Sequence, residues 1–406
     1  MKAHISAEFF AGNRQRLLEK VKGGVVALSA YTQMQRSSDI AHDFEQEANF
    51  WYLTGIDEPD WWVIADGVRG KWWLVAPEVS AITAAFDGAL GAASATEISG
   101  ISEVIDRSEA LSLLRQLHRS HSLAYTCDPP PYLEKYFTFV LNPAPKELRD
   151  LLTRNFNRVQ NCRQELVALR AIKQPEEVAC LKEAISISVA AFQEVRDRFQ
   201  SYQWEYEVEA DFTYAVRRAG AEGNAYTPIV GGGENACTLH YERNSDRLKK
   251  KTLVLMDMGA KVSHYCADVS RTFAFGEPTK RQQQIHDALK EAHIEIIRQC
   301  VPGMSIERYG EQSNEIMMKV MNDVGVMKGH DEKLFYKYFP HAMSHGLGID
   351  PHDSFGGYTE FQPGMVMTVE PGIYIPEEKI GIRLEDDLLI TEKGSTNLSA
   401  KLGLDL

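Results

Sequence analysis

The sequence predicts an α+β protein in which a smaller α/β domain precedes a larger domain with an internal two-fold duplication. Three observations indicate this fold. The chain has 406 residues, enough for two or three domains of ordinary size. Five of its six tryptophans lie between Trp51 and Trp73, which marks the N-terminal part as a separate unit. In the remainder of the chain, two helical segments followed by strands occur twice in the same order.

The first domain is predicted to span residues 1–160, with short strands between helices. Its first helix, residues 8–21, ends before the Gly23-Gly24 pair, because glycine commonly follows a helix terminus. Later segments rich in β-branched and aromatic residues are predicted to be strands, and two amphipathic segments are predicted to be helices. The predicted strands are 25–29, 49–53, 61–65 and 71–75, and the helices are 108–119 and 145–155. The tryptophans are expected to form the core and an interface of this domain.

The second domain is predicted to span residues 165–406. Its first helix, residues 174–199, begins with Pro175 in the first turn and with Glu176 and Glu177 beside the positive end of the helix dipole. The remaining predicted helices are 205–219, 279–300 and 305–324, and the predicted hairpins pair 252–258 with 263–275 and 366–375 with 379–390. Each hairpin follows a pair of helices, as expected of a duplicated unit.

The composition excludes several classes of protein. The 57 acidic and 44 basic residues give a formal net charge of -13, which argues against nucleic-acid and anionic-membrane partners. Six cysteines without a C-x-x-C pair indicate neither a disulfide framework nor a thiolate zinc site. The N-terminal residues show no signal peptide, and no apolar segment is long enough to span a bilayer. We therefore expect a soluble cytoplasmic protein.

The first predicted hairpin brings two aspartates together. A turn centred between Val262 and Ser263 places Asp257 directly opposite Asp268. Residues that face each other on antiparallel strands have Cβ atoms about 4.5–5.5 Å apart, where like charges are destabilising.

The second predicted hairpin repeats this arrangement with two glutamates. A turn centred between Glu377 and Glu378 places Glu370 directly opposite Glu385. The neighbouring strand residues are apolar, so these carboxylates would be buried at a cost of several kcal/mol each.

Divalent cations would relieve this repulsion. Two ions about 3.5–4 Å apart, bridged by carboxylates, match what two such pairs can hold. The alternative is a register shifted by one residue, which would turn the acids towards solvent. Either reading is open for one hairpin alone, but the same face-to-face result in both hairpins favours the metal site.

Histidines supply further candidate ligands. Residues 340–353 contain His341, His345 and His352, and the glycines and proline among them argue against a helix there. We therefore expect a loop that approaches the metal centre closely. His240 is a fourth candidate.

These residues resemble a known family. The ordered set Asp257, Asp268, His345, Glu370 and Glu385, with the segments 256–259, 267–273, 344–348, 369–372 and 383–387 around it, is similar to the ligand set of the pita-bread metallopeptidases. This family contains the methionine aminopeptidases, prolidases and aminopeptidases P. The segments 36–39 and 45–55 resemble the leading domain of aminopeptidase P and prolidase-type members, which methionine aminopeptidases generally lack. Creatinase shares the two domains but not the metal ligands.

The resemblance implies a role for each site residue. Asp257 would bind one divalent ion, Asp268 and Glu385 would bridge two, and His345 and Glu370 would complete the second position. Mn²⁺ suits this mostly oxygen ligand set, although Zn²⁺, Co²⁺ or Fe²⁺ could occupy the same residues. A hydroxide between the metals would be the nucleophile, and Glu370 would shuttle its proton.

The remaining implied roles concern the substrate. His352 and His240 would stabilise the scissile carbonyl and the tetrahedral intermediate. His341, Arg383, Tyr226 and Tyr374 would line the pocket. The resemblance also implies that the substrates are peptides with proline in the second position, and that the chain forms a homodimer or homotetramer through its N-terminal domain.

Three functions are therefore considered. The resemblance favours an Xaa-Pro aminopeptidase, which releases the N-terminal residue before proline. The short link between Glu370 and Glu385 lacks an insertion typical of many aminopeptidase P members, which keeps a prolidase, specific for Xaa-Pro dipeptides, as the alternative. A non-catalytic peptide-binding relative is a minor third possibility, because such proteins have usually lost metal ligands.

Overall fold

The computed structural model describes residues 5–137 and 139–406, which form two units, residues 5–169 and 170–406. The division falls within a helix that follows the last strand of the first unit. The sequence-based boundaries of 160 and 165 lie slightly upstream of it. Among the described residues, no helix is long and apolar enough to cross a membrane.

The first unit is built around a mixed six-stranded sheet in the order β6-β5-β4-β1-β7-β8. Its strands, with a separate small ribbon of β2 and β3, are β1 (Val25–Ser29), β2 (Gln35–Ser37), β3 (Ile40–Ala41), β4 (Trp62–Asp66), β5 (Lys71–Val75), β6 (Val104–Ile105), β7 (Leu123–Thr126) and β8 (Arg158–Asn161). Its helices are α1 (Ala7–Lys20), α2 (Ala48–Thr54), α3 (Ala81–Asp87), α4 (Ala92–Ser99), α5 (Arg107–His118), α6 (Pro131–Tyr136) and α7 (Ala144–Asn155), and α8 (Arg163–Ala171) follows. The predicted first helix and the strands at 25–29, 61–65 and 71–75 are confirmed within one residue.

The predicted strand at residues 49–53 is wrong, because this segment forms helix α2. The Glu47 side chain caps the helix by accepting a hydrogen bond from the Phe50 amide at 2.6 Å. Gly55 ends it in the left-handed conformation with φ 69°. Every residue of α2 is buried. An apolar helix that is buried on all sides carries no 3.6-residue periodicity, so its aromatic content resembles that of a strand.

The second unit repeats two helices followed by strands, as predicted. Its helices are α9 (Pro175–Arg198), α10 (Glu205–Ala219), α11 (Lys280–Ile297), α12 (Ile306–Asp323) and α13 (Glu332–Tyr338). Its strands are β9 (Gly223–Asn224), β10 (Ile229–Gly232), β11 (Thr252–Asp257), β12 (Ala260–Val262), β13 (Tyr265–Cys266), β14 (Ser270–Phe275), β15 (Val366–Val369), β16 (Gly372–Ile375), β17 (Ile380–Arg383), β18 (Asp386–Thr391) and β19 (Gly394–Asn397). Helices α11 and α12 cover the second set of strands with a large apolar core that includes Leu289, Met317 and Ile382.

The predicted register of the first hairpin is wrong by two residues. The turn consists of Ser263 and His264, both with positive φ, and Asp257 pairs with Ser270 rather than with Asp268. A two-residue turn with two left-handed residues matches the twist of antiparallel strands, which explains the shift. Because side chains alternate with a period of two, this shift leaves Asp257 and Asp268 on the same face.

The predicted register of the second hairpin is confirmed. Gly372 pairs with Arg383, and Val369 pairs with Asp386, on either side of Glu370 and Glu385. Each hairpin is interrupted, however, and its two halves belong to separate sheets. The breaks coincide with the acidic residues, so the duplicated units present their carboxylates where regular strand pairing stops.

The break in the first hairpin requires a glycine at position 259, because a Cβ atom there would overlap with the carbonyl oxygen of Ala267. We predict that Gly259→Ala lowers the free energy of unfolding by roughly 1–3 kcal/mol or more, as expected of an overpacked core. Gly310 lies within α12 with no atom near its added Cβ, so Gly310→Ala is the matched control and should stabilise by about 0.5–1 kcal/mol. Urea denaturation measures both; equal effects from the two variants would contradict the prediction.

Candidate active site

The four acidic residues of the two hairpins converge in one cleft of the second unit. Asp257 ends β11, Asp268 precedes β14, and Glu370 and Glu385 lie between the paired ends of β15–β18 and β16–β17. The Glu385 amide donates to the carbonyl oxygen of Ser270 at 3.0 Å, which joins the two hairpins directly at the site.

A loop before β15 adds the histidines. His345 lies with its Nε2 atom 3.6 Å from Asp268 Oδ2 and 3.4 Å from Glu370 Oε1. Its Nδ1 atom is 2.9 Å from the carbonyl oxygen of Gly346, so Nδ1 carries the proton and Nε2 offers a lone pair to the acids' side of the cleft. The ring of His352 packs edge-on against His345 with a centroid separation of 4.4 Å.

The donor atoms form groups that fit metal ions. Within one group, Asp257, Asp268 and Glu385 offer oxygens that all lie within 4.8 Å of one another. A second group of the same size consists of His345, Glu370 and Glu385, and thus shares Glu385 with the first. Carboxylates and one imidazole are ligands suited to Mn²⁺, Fe²⁺, Co²⁺ and Zn²⁺. A third group of donor atoms consists of Asp268, His345 and His352. The residues of the cleft therefore fit divalent cations.

The acids of the cleft repel one another when they are ionised. Burial, followed by repulsion from neighbouring carboxylates, raises the pKa values of Asp268, Glu370 and Glu385 well above their usual range. Burial also lowers the pKa of His345 to about 4, so this imidazole is neutral and able to bind a metal. A divalent cation would reverse the shifts of the acids, because it stabilises their ionised forms.

Arg383 contributes a positive charge to the wall of the cleft. Its Nη2 atom lies 2.5 Å from Asp257 Oδ2, and its Nε atom donates to Ser270 Oγ at 2.8 Å. Ser270 in turn donates to Glu385 Oε2 at 2.6 Å. One guanidinium therefore holds an acid from each hairpin, one directly and one through a serine hydroxyl.

Two further predicted pocket residues, Tyr226 and Tyr374, contact residues of the cleft wall. The Tyr226 hydroxyl is 2.5 Å from Asp257 Oδ1 and 2.6 Å from Asp268 Oδ1, so it contacts metal-ligand candidates. Tyr374 is buried, accepts a hydrogen bond from Arg383 Nη1 at 2.8 Å and lies 2.9 Å from His341 Nε2. Neither tyrosine lines the cleft. Sequence similarity identified their neighbourhood but could not give the direction of their side chains.

The other predicted site residues line an open cleft of ≈ 290 Å³. This set comprises Asp257, Asp268, Glu370, Glu385, Arg383 and the histidines His240, His341, His345 and His352, and Leu239 and Ala342 complete the wall. His341 Nδ1 lies 3.4 Å from Glu370 Oε2, which makes it a neighbour of that acid as well as a wall residue.

Sequence reasoning missed several supporting residues. Ser270 and Asp387 each follow a candidate ligand by two positions, so strand periodicity places them on the ligand's face. Asp387 accepts a hydrogen bond from the Asp268 amide at 3.1 Å. The same two-residue spacing applied to Glu370 gives Thr368, whose hydroxyl lies 3.3 Å from Glu370 Oε1. The two-residue periodicity of a strand could therefore have identified Ser270, Asp387 and Thr368 from the sequence.

Comparisons with known proteins agree with this geometry. Residues 179–392, more than half of the chain, match the model of metallopeptidase family M24, and residues 10–125 match the aminopeptidase P N-terminal domain. The chain belongs to metallopeptidase family M24. It is 32% identical to Xaa-Pro aminopeptidase of Escherichia coli (strain K12) over 98% of this chain and 96% of that protein. It is 31% identical to human Xaa-Pro aminopeptidase 3 over 93% of this chain and 78% of that protein.

Solved structures of the M24 family extend the agreement to the whole fold. Aminopeptidase P from E. coli in its low-pH form superposes with a TM-score of 0.87 at 29% identity, covering 99% of this chain and 96% of that one. The zinc-substituted E. coli enzyme with bound product gives a TM-score of 0.85, also at 29% identity and with the same coverage. The predicted family and the two-domain pita-bread fold are confirmed, and M24 membership makes the chain a metal-dependent hydrolase.

The raised pKa values of Asp268, Glu370 and Glu385 predict a pH dependence of the metal-free protein. These acids titrate near pH 4 when unfolded, so in metal-free protein their contribution to stability is complete below about pH 4 and is lost as pH rises through the folded pKa values. Bound Mn²⁺ should remove this loss, so the increase in Tm on adding Mn²⁺ should be larger at about pH 8 than at about pH 5. Thermal denaturation with chelator or with Mn²⁺ measures the difference.

Glu385→Gln should abolish most of this metal-dependent stabilisation, because Glu385 belongs to both donor groups. Glu234→Gln provides the control, since Glu234 is an exposed acid paired with Lys379 outside the cleft. A Tm that responds equally to Mn²⁺ in Glu385→Gln and in Glu234→Gln would contradict the assignment.

Proposed function

We propose that this chain is a dinuclear metal-dependent Xaa-Pro aminopeptidase, which releases the N-terminal residue from peptides with proline at the second position. The observation that carries the proposal is the pair of donor groups that share Glu385 in one open cleft. Similarity to E. coli Xaa-Pro aminopeptidase over 98% of the chain supports the same reaction and includes the N-terminal domain.

The proposed ligands divide between the two positions as the resemblance implies. Asp257 would serve one cation, His345 and Glu370 the other, and Asp268 and Glu385 both. Bound cations would lower the pKa of a water molecule and polarise the scissile carbonyl. We favour Mn²⁺ because four of the five ligands are carboxylates.

Glu370 would hold and transfer the proton. Its carboxylate is within 3.4 Å of both His341 and His345, and burial followed by the charge of Glu385 raises its pKa, which suits a group that must alternately bind and release a proton. His240 and His352 both line the cleft, where they can donate hydrogen bonds to the carbonyl and to the tetrahedral intermediate.

Prolidase activity is the second candidate. The link between Glu370 and Glu385 is a short hairpin, β16 and β17, closed by a single 3-10 turn at Pro376–Glu378. A non-catalytic binding protein is disfavoured because the complete donor set is present in the cleft.

Assembly and location remain as predicted from the sequence. Trp51, Trp61 and Trp73 are buried in the core and Trp62 and Trp72 are half-buried, so none of these five is an exposed residue. The homodimer or homotetramer would instead use exposed apolar residues of the N-terminal unit, such as Phe86 and Val140, which are 84% and 85% exposed. Cytoplasmic location stays a prediction.

The substrate-length question has a direct test. Metal-stripped protein is reconstituted with Mn²⁺ and assayed with an Xaa-Pro dipeptide and with the corresponding Xaa-Pro-Yaa tripeptide. We expect cleavage of the tripeptide with a higher kcat/KM than the dipeptide, because the cleft is open to solvent. Cleavage of the dipeptide alone would assign prolidase activity, and cleavage of neither would refute both functions.

Replacing Glu370 tests the proposed proton transfer. Glu370→Ala should lower kcat by at least about 10³-fold, because it removes both a metal ligand and a proton carrier. Glu377→Ala serves as the control, since Glu377 is an exposed acid in the same hairpin that pairs with Lys337. Normal turnover by Glu370→Ala would refute both of its proposed roles.

A further inference from the structure

A buried ion-pair cluster lies behind the loop that carries His345 and His352. The carboxylate of Asp353 is 3.1 Å from Arg170 Nη2 through Oδ1 and 3.2 Å from Lys173 Nζ through Oδ2. The three side chains are only 2%, 1% and 3% exposed for Arg170, Lys173 and Asp353. Arg170 lies at the end of α8 and Lys173 lies between α8 and α9, both far from Asp353 in sequence.

The ion pairs keep Asp353 charged. Burial alone would raise the pKa of Asp353, but Arg170 and Lys173 outweigh it and hold that pKa below its usual value. Buried ion pairs add little net stability, because desolvation offsets their attraction. Their contribution is therefore the geometry that they impose on the loop.

The backbone of Asp353 reaches the partner of His345. The carbonyl oxygen of Gly346 accepts hydrogen bonds from the Asp353 amide at 2.8 Å and from His345 Nδ1 at 2.9 Å. Gly346 and Asp353 form an isolated antiparallel bridge, which closes the loop. Fixing Asp353 thus fixes the carbonyl group that sets the tautomer and ring orientation of His345.

Asp353 is also the chain neighbour of His352. The His352 ring packs edge-on against His345 at 4.4 Å. The loop is also tied to the first hairpin, because the Cys266 amide donates to the carbonyl oxygen of Gly348 at 2.9 Å. Cys266 precedes Asp268 by two residues, so this hydrogen bond connects the loop to the strand segment that carries a candidate metal ligand.

We propose that Asp353, held by Arg170 and Lys173, is the positioning residue that orients the imidazoles of His345 and His352 towards the acids of the cleft. This inference rests on the proposed function for the roles of the two histidines. It does not depend on which peptide is cleaved.

Asp353→Asn tests the inference, with Asp350→Asn as the matched control. Asp350 lies on the same loop and pairs with the same Arg170 Nη2 at 2.5 Å, but its side chain is 49% exposed, whereas that of Asp353 is 3% exposed. We expect Asp353→Asn to weaken Mn²⁺ binding by about 10–100-fold and to lower kcat by a similar factor, with KM changed by less than about 3-fold. Asp350→Asn should change each quantity by less than about 3-fold.

The visible absorption spectrum of Co²⁺-loaded protein provides a readout that is independent of activity. Asp353→Asn should alter the ligand-field bands because His345 changes orientation, whereas Asp350→Asn should preserve them. Gly348→Ala is a second variant, since its Cβ atom would overlap with Asp353 Oδ2 without removing any charge. It should reproduce the spectral change of Asp353→Asn.

Leu289→Ala is the control for a general loss of stability. It truncates a fully buried residue of α11 in the apolar core. This variant should lower Tm but keep the Co²⁺ spectrum and the Mn²⁺ affinity. The inference is overturned if Asp353→Asn keeps the wild-type Co²⁺ spectrum and Mn²⁺ affinity. It is also overturned if Leu289→Ala changes the spectrum and the affinity as much as Asp353→Asn does. Failure of the wild-type protein to cleave Xaa-Pro peptides would refute the proposed function while leaving the metal-binding comparison decisive for Asp353.

Discussion

The mutual repulsion of four closely spaced carboxylates, three of them buried, is the constraint on which the rest of this active site depends. Asp257, Asp268, Glu370 and Glu385 share one cleft, and among the described residues Arg383 is the only arginine in its wall. One guanidinium cannot compensate four ionised acids, so the raised pKa values of Asp268, Glu370 and Glu385 are a direct consequence of the fold. The apolar core beneath the strands must therefore supply the stability that the site itself removes. Such local conflict is typical of functional sites.

The acidic cluster was predictable although the register of the first hairpin was not, because side chains on a strand alternate with a period of two. The first hairpin is shifted by two residues relative to its prediction, yet a shift of two preserves the face on which Asp257 and Asp268 lie. A shift of one would have turned Asp268 away. The second hairpin, with Glu370 and Glu385, matched its predicted register. Three helices of the first unit, α1, α5 and α7, and four of the second, α9 to α12, were predictable from periodicity and terminal signals, because these signals lie in residues close together in the chain.

The features that escaped prediction depend on contacts between distant residues. Helix α2 is buried on all sides, so its sequence lacks the amphipathic pattern of a helix. The directions of Tyr226 and Tyr374 are set by partners from other strands and loops. The pairing of Lys173 with Asp353 spans 180 residues, and nothing local to either residue indicates it. The ligands could be found from sequence, whereas the residues that hold them required the structure.

The duplication also explains why the two donor groups differ. Each half contributes a broken hairpin with two acids, but the loop with His345 precedes only the second hairpin. One group consequently contains only carboxylate oxygens, whereas the other includes an imidazole. Imidazole favours Zn²⁺, Co²⁺ and Fe²⁺ more strongly than carboxylate does, so the proposed positions should differ in metal preference. The support of His345 by Asp353 then acts on one position first, and Glu385, which belongs to both groups, transmits any change in that position to the other.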